Sequence, residues 1–448
     1  MTPRLDTLAS QMLDAARAAG AEAADVLITQ GTSVSIDVRA GALEEANRSE
    51  GIDLGLRVLV GPRQAVVSAS NASDGTIADM AERAVAMAKE APADPHLGLA
   101  EPAQLATSWD IDALDMYEDA PEPSPADLQA AAQEAEAAAL AVSGVSQTQG
   151  AGAAYGSREV MLAASNGFSG GYHRSSHSLS CVAIAGEGTG KERDYDGDFR
   201  IYGSDLRSAE DIGRIAGERA VERVNARKPV TGTYPVVFDE RISSSLIGHL
   251  VAAINGASIA RGSSWLRDGM DTQVLPEHLS LVEDPLRPRI TGSRPFDAEG
   301  LPATKRTIVE NGVLRTWTLD LASARKLGLE STGNAARGTS SGPMPSVTNL
   351  ALTQGTQSRD DMIRDMGTGL LVTSMIGSTI NPNTGDYSRG ASGFWIENGE
   401  IAYPVNECTI AGNLKDMLLR IIPANDARTY LSRVVPSLMI EGMTLAGA

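Results

Sequence analysis

The stretch FWIENGEIAYPV, residues 394–405, reads as a β-hairpin by itself. Asn398 and Gly399 stand at its centre, and Asn-Gly is the dipeptide best able to hold the two left-handed positions of a type I′ turn. Residues alternate in character on both sides, as strands with one buried face require. TIVENGVLRTWTL, residues 307–319, repeats the design around Asn311 and Gly312. Upstream, TGTYPVVFD (231–239) is apolar enough to be a buried strand. The chain from 229 to 448 therefore reads as a β-rich C-terminal domain.

Between that strand and the hairpins lies RISSSLIGHLVAAINGASIARGSSWLRD, residues 241–268. Leu246, Ile247, Leu250, Val251 and Ile254 recur at helical spacing, so a helix is expected. A zinc-protease helix offers two histidines one turn apart with a glutamate beside the first. Here there is one histidine, His249, and no carboxylate from Arg241 to Leu266. His249 reads as a structural histidine on an apolar helix. Ser243, Ser244 and Ser245 read as capping groups rather than nucleophiles. The chain has neither a G-x-S-x-G elbow nor a P-loop.

The N-terminal half mixes strands and helices. Residues 5–19 suit a helix, with Leu8, Met12, Leu13 and Ala16 on one face. Alternating runs from 24 to 71 predict four or five antiparallel strands. Residues 74–91 suit a second helix with Asp74 as its N-cap. Pro, Asp and Ala crowd residues 93–124, which reads as a linker or wrapping segment. Helices are expected over 126–142 and 206–226, with strands between them turning at Asn166-Gly167. The predicted organisation is α+β: an N-terminal α/β sandwich region with antiparallel sheets, made of subdomains 1–92 and 125–228, followed by the domain 229–448.

Bulk composition excludes several classes. There are 38 basic and 57 acidic residues, giving a net charge of -19. Nucleic-acid and anionic-membrane partners draw their affinity from excess Lys and Arg, so both are disfavoured. Two cysteines, Cys181 and Cys408, in 448 residues suit a reducing compartment. No apolar leader or spanning run is present, so a cytoplasmic location is expected. Aromatics make up 4%, so the core should be closely packed and aliphatic.

His173, His177 and Cys181 share one strand face at intervals of four, but their rise of about 13 Å per interval is too long for one ion. They read as solvent-facing or subunit-facing residues. Two segments are dense in Gly, Asn and Ser: 331–350 and 374–414. They are either turns between strands or backbone held close to a ligand. On the second reading a peptide lies along Asn334, Arg337 and Gly338, and along Asn381, Asn383, Gly385, Ser388, Arg389 and Gly390.

Several long segments in order resemble the TldD/PmbA family, specifically its PmbA/TldE branch. They are EEANRSEGIDLGLRVLVGPRQAVVSASN (44–71), the region 150–202, FDAEG (296–300), ESTGNAARG (330–338), STINPNTGDYSRGASGFWIENGEIAYPV (378–405) and PSLMIEGMTLAG (436–447). The resemblance implies a heterodimeric cytoplasmic peptidase that trims unfolded peptides in an enclosed cavity. In the TldD branch a His-Glu-x-x-x-His motif and a late Cys bind zinc. Aligned on this chain, the motif falls on Ile247, Gly248 and Ala252, and no Cys follows residue 408. The resemblance therefore implies no catalytic or metal residue here. Zinc is expected in a TldD-like partner and no cofactor in this chain. The expected role is the non-metal subunit of a TldD/TldE-type metallopeptidase, inactive alone, pairing with that partner or with itself. Two other readings stand beside it: a regulatory or binding homodimer, and an independent hydrolase that uses His173 and His177.

Overall fold

A computed structural model describes residues 4–447. Its first helix, α1 (Leu5–Ala18), leads into a long hairpin of β1 (Ala23–Arg39) and β2 (Ala42–Val60), followed by β3 (Arg63–Ala69). Three strands stand where the sequence predicts four or five. The difference lies in Gly31 and Gly51, which pair with each other in mid-strand instead of turning the chain. A Cβ at Gly31 would lie 2.2 Å from the Ser157 carbonyl oxygen, so close strand approach selects glycine there. α2 (Asp74–Glu90) is capped by Ser73, which accepts from the Thr76 N–H, and not by Asp74, the first residue of the helix itself.

The segment after α2 wraps the molecule and includes a single helical turn, α3 (Ile111–Leu114). Trp109 packs edge-on to Phe296 of the C-terminal part, at 4.9 Å between centroids. α4 (Pro125–Ala141) starts on a capping box of Ser124 and Asp127. β4 (Val145–Ala164), β5 (Ser169–Ala185), β6 (Glu192–Arg200) and α5 (Ala209–Glu222) follow. All six strands form one antiparallel sheet in the order β3-β2-β1-β4-β5-β6. The α/β segments on either side of the wrapping stretch thus share a sheet, joined by β1 on β4.

Alternation along β1 fixes what each face meets. Val26 and Ile28 pack under α1 and α2. Val34, Ile36 and Val38 pack under α4 and α5, whose contact is built from alanine and glycine. Leu27 points the other way, towards Phe168 and Phe296.

β7 (Gly232–Phe238) opens the C-terminal part and runs into α6 (Glu240–Ala253). Asp239 caps α6 by accepting from the Arg241 N–H, so the serines at 243–245 are not the cap. The helix expected over 241–268 breaks after Ile254. Asn255 then caps a separate short helix, α7 (Gly256–Ala260).

β8 (Leu281–Glu283), β9 (Arg306–Glu310) and β10 (Val313–Leu314) belong to a five-stranded sheet. The small ribbon of β11 (Ala335–Ala336) and β12 (Met344–Pro345) lies outside it, and β13 (Leu350–Leu352) returns to it. β14 (Gly369–Ile380), β15 (Asp386–Glu397), β16 (Glu400–Asn413), β17 (Ile422–Pro423), β18 (Arg433–Val434) and β19 (Leu438–Ala446) complete the chain. The larger C-terminal sheet runs β16-β15-β14-β7-β19-β17, and a further β16–β19 pairing closes five of its strands into a ring. Both Asn-Gly pairs turn hairpins with positive φ at each residue: 47° and 82° at Asn311-Gly312, 53° and 78° at Asn398-Gly399. Among the described residues no helix is long and apolar enough to cross a membrane.

Candidate functional site

α6 sits where the family resemblance places a metal helix. Leu246, Ile247 and Leu250 are buried in the main core of the C-terminal part. Gly248 and Ala252 are exposed, and a Cβ at Gly248 would meet nothing within 4 Å. The two positions have open space in front of them and no donor atom in their side chains. His249 is the only imidazole on this helix, and its ring stands edge-on to Tyr387 at 5.8 Å. Burial, and then the charge of Arg389, hold its pKa below the ordinary value, so it is neutral at pH 7. One neutral histidine with no carboxylate or second histidine beside it does not make a zinc site. The residues present do not fit the metal that the family fold implies.

The other candidates resolve individually. His173 pairs with Glu159 at 3.2 Å, and His177 Nε2 lies 2.7 Å from Glu118 Oε2. Only His173 is solvent-facing as expected. His177 is buried against the wrapping segment, and Cys181 lies in the apolar layer beneath α4 and α5. Burial pushes the Cys181 thiol up to about 12 and the Cys408 thiol up to about 11, which makes both poor nucleophiles and poor metal ligands at neutral pH.

The peptide-binding candidates fall in two places. Asn381, Asn383 and Gly385 build the β14–β15 turn. Asn381 Oδ1 accepts from the Asn383 N–H at 3.0 Å, and Gly385 has φ +82°. Ser388, Arg389 and Gly390 follow on β15. That strand pairs with β14 on one side and β16 on the other, so its backbone is already committed. A ligand here would meet side chains and the turn rather than add a strand. Gly390 is not among the positive-φ glycines. It is small because a Cβ would lie 2.6 Å from Ile376 Cγ2 across the ladder.

Asn334, Arg337 and Gly338 lie at the seam between the first sheet and the C-terminal part. Asn334 donates to both carboxylate oxygens of buried Glu283, at 3.0 and 3.1 Å. Glu283 also receives Arg306 Nε at 2.6 Å. Arg337 reaches across the seam to Asp25 on β1, which Arg57 Nε contacts at 2.7 Å from β2. Two arginines hold the Asp25 carboxyl below the ordinary carboxylate value despite its burial. Gly338 is exposed, its N–H bonded to Ser341 Oγ at 3.0 Å. Asp25, Arg57 and Glu283 carry no local motif, and the sequence reading missed them.

Comparison with known proteins fixes the family. Residues 231–447 match the PmbA/TldA metallopeptidase C-terminal domain, 118–224 its central domain and 24–88 its first domain. Metalloprotease PmbA of Escherichia coli O157:H7 is 37% identical over 95% of this chain and 92% of its own. The chain belongs to the PmbA/TldD family. A PmbA homologue from Haemophilus influenzae is 35% identical over 97% of this chain and 94% of its own. A Bacteroides thetaiotaomicron structure, described as a candidate modulator of DNA gyrase, superposes with a TM-score of 0.92 at 26% identity, covering both chains fully. TldE from Thermococcus kodakarensis shares the fold, with a TM-score of 0.84 at 20% identity over 98% of this chain and 100% of its own. The α+β fold of this PmbA/TldD member, antiparallel sheets followed by a β-rich C-terminal part, is therefore that of the family.

Proposed function

We propose that this chain is the non-metal, TldE-like subunit of a TldD/TldE-type metallopeptidase that trims unfolded peptides. The observation that carries the reading is the face of α6. Ile247 is packed into the core, and Gly248 and Ala252 offer open space without donor atoms. Zinc then belongs to a TldD-like partner, and this chain completes the cavity. Asn381, Asn383, Gly385, Ser388 and Arg389 would line the substrate side of that cavity, with His249 and Tyr387 behind them. Asn334, Arg337 and Gly338 mark a second contact region, at the seam. The reading places the assembly in the cytoplasm.

Metal analysis and peptidase assays test this directly. The purified chain is expected to hold well under one zinc and to leave unfolded peptides intact. Adding a TldD-like partner should restore turnover. About one tightly held zinc per isolated chain, surviving dialysis, would sink the proposal. So would peptide hydrolysis by the isolated chain.

A further inference from the structure

We propose that the seam between the first sheet and the C-terminal part is a binding pocket for a carboxylate attached to an apolar body. A cavity of about 440 Å³ opens there, within the usual range for small-ligand sites. Five arginines line it: Arg158 from β4, Arg174 from β5, Arg294, Arg337, and Arg433 from β18. The only carboxylate among the lining residues is Asp297, already engaged by the N–H groups of Glu299, Leu301 and Ala335 at 2.9 to 3.0 Å. Such a cluster is out of character for a chain with a net charge of -19.

The pairing of these arginines is incomplete. Arg337 has a side chain only 2% exposed, and it spends Nη1 on Asp25. Its Nε and Nη2 are buried with no hydrogen-bond partner among the described residues, and so is Arg294 Nε. A buried donor left without a partner pays its desolvation with no bond in return, and more so when it is charged. Among the described residues no carboxylate lies within ion-pair distance of Arg158, Arg174, Arg294 or Arg433. Arg289 and Arg306 nearby are each matched to an acid. Burial also pulls Arg433 and Arg337 below their ordinary pKa, a cost that a bound anion would relieve.

The remaining walls choose the kind of anion. Leu27, Val160, Leu162, Phe296 and Val347 present an apolar surface beside the guanidinium groups. Arginine matches a carboxylate with two parallel hydrogen bonds. The ligand chemistry is therefore a carboxylate with a hydrophobic body. A free organic acid and the C-terminal residue of a peptide both supply it. This pocket does not depend on whether a zinc-bearing partner exists.

Calorimetric titration of the full chain tests the assignment. The probes are N-acetyl-phenylalanine, a pentapeptide ending in phenylalanine, the C-terminal amide of each, and inorganic phosphate. Both acids are expected to bind saturably at one site, with each amide and phosphate at least tenfold weaker. Tighter binding of the peptide acid than of N-acetyl-phenylalanine assigns a peptide end; the reverse assigns a free acid. Arg433→Gln and Arg158→Gln remove charges that have no carboxylate within ion-pair distance among the described residues, Glu283 attracting Arg433 only from further off. Each should weaken the acids at least tenfold while the melting temperature stays level or rises. Equal binding of acids and amides overturns the assignment, as does phosphate binding as tightly as the acids. Undiminished binding in both variants overturns it too, and so does binding loss that tracks a fall in melting temperature.

Discussion

Glu299 shows how strongly the seam departs from ordinary solution chemistry. It is buried, accepts from the Leu321 N–H at 2.8 Å, and lies close to Asp297. Burial first, and then the Asp297 charge, push its carboxyl up to about 8, against the opposing pull of Arg57. In the folded protein Glu299 therefore keeps its proton at pH values where the unfolded chain has released it. Stability from this group is fullest below the unfolded value of 4.5 and falls as pH rises towards about 8. Glu299→Gln keeps an acceptor for Leu321 and cannot ionise. Urea unfolding between about pH 5 and pH 9 should show wild-type stability dropping by on the order of a few kcal/mol more than that of the variant. Parallel pH profiles for the two proteins would contradict this account.

Among the elements, α4 and α5 make the strictest geometric demand. A Cβ at Gly213 would sit 1.9 Å from the Ala135 carbonyl oxygen, on the facing helix. Gly213→Ala raises intrinsic helix propensity by about 1 kcal/mol. It also forces two backbones apart, and overpacking costs about 1–3 kcal/mol or more. The second effect should win, and a scanning-calorimetry melt should move down. An unchanged or higher melting temperature would show that the helices can part cheaply. This contact also shows what the sequence does not reveal. Ala-rich 126–142 announces a helix, but nothing local says that Gly213 will face Ala135. The Asn-Gly hairpins were legible because a type I′ turn puts its whole requirement into two adjacent residues. Gly31 and Gly51 look like breaks locally, yet both lie in mid-strand, and Gly31 serves close approach to β4, which only the paired strand decides. The predicted helix over 241–268 had the right period, but Asn255 supplies a cap that restarts it. The peptide-site candidates were found as Gly-Asn-Ser density, which marks turns and clefts alike. Of the arginine pocket only Arg337 stood among the sequence candidates, because its members come from positions 158 to 433 and meet only in the fold.

At the scale of the whole molecule, the two ends of the chain treat their sheet edges differently. The C-terminal ring buries strand edges by the β16–β19 pairing. The first sheet leaves β6 as an end strand, paired among the described residues with β5 alone. Along it Tyr195 and Phe199 stand 58% and 51% exposed, on one face at a spacing of four. Aromatics make up only 4% of this chain, so two exposed on one edge strand are conspicuous. Side chains already cap the outer backbone of β6, Asp194 and Asp198 at the Tyr195 and Phe199 N–H groups and Arg219 and Arg207 at the Tyr195 and Gly197 carbonyls, so association here would run through the exposed aromatic side chains, which are enriched at interfaces. The neighbouring acids on β6 are already neutralised, Asp194 by Arg223 and Arg241, Asp196 by Arg207 and Arg219, so little charge opposes contact. If the chain pairs with itself or with a zinc-bearing subunit, this edge is the first surface to test. The double variant Tyr195→Ser, Phe199→Ser should keep its melting temperature within about 2 °C, since exposed positions carry little folding energy. Light scattering at micromolar concentration should then report a lower mass than wild type, or co-purification of the TldD-like partner should fall at least tenfold. Wild-type assembly in the double variant would place the interface elsewhere, with the remaining exposed apolar side chains of the C-terminal part, such as Ile376 on β14, next in line.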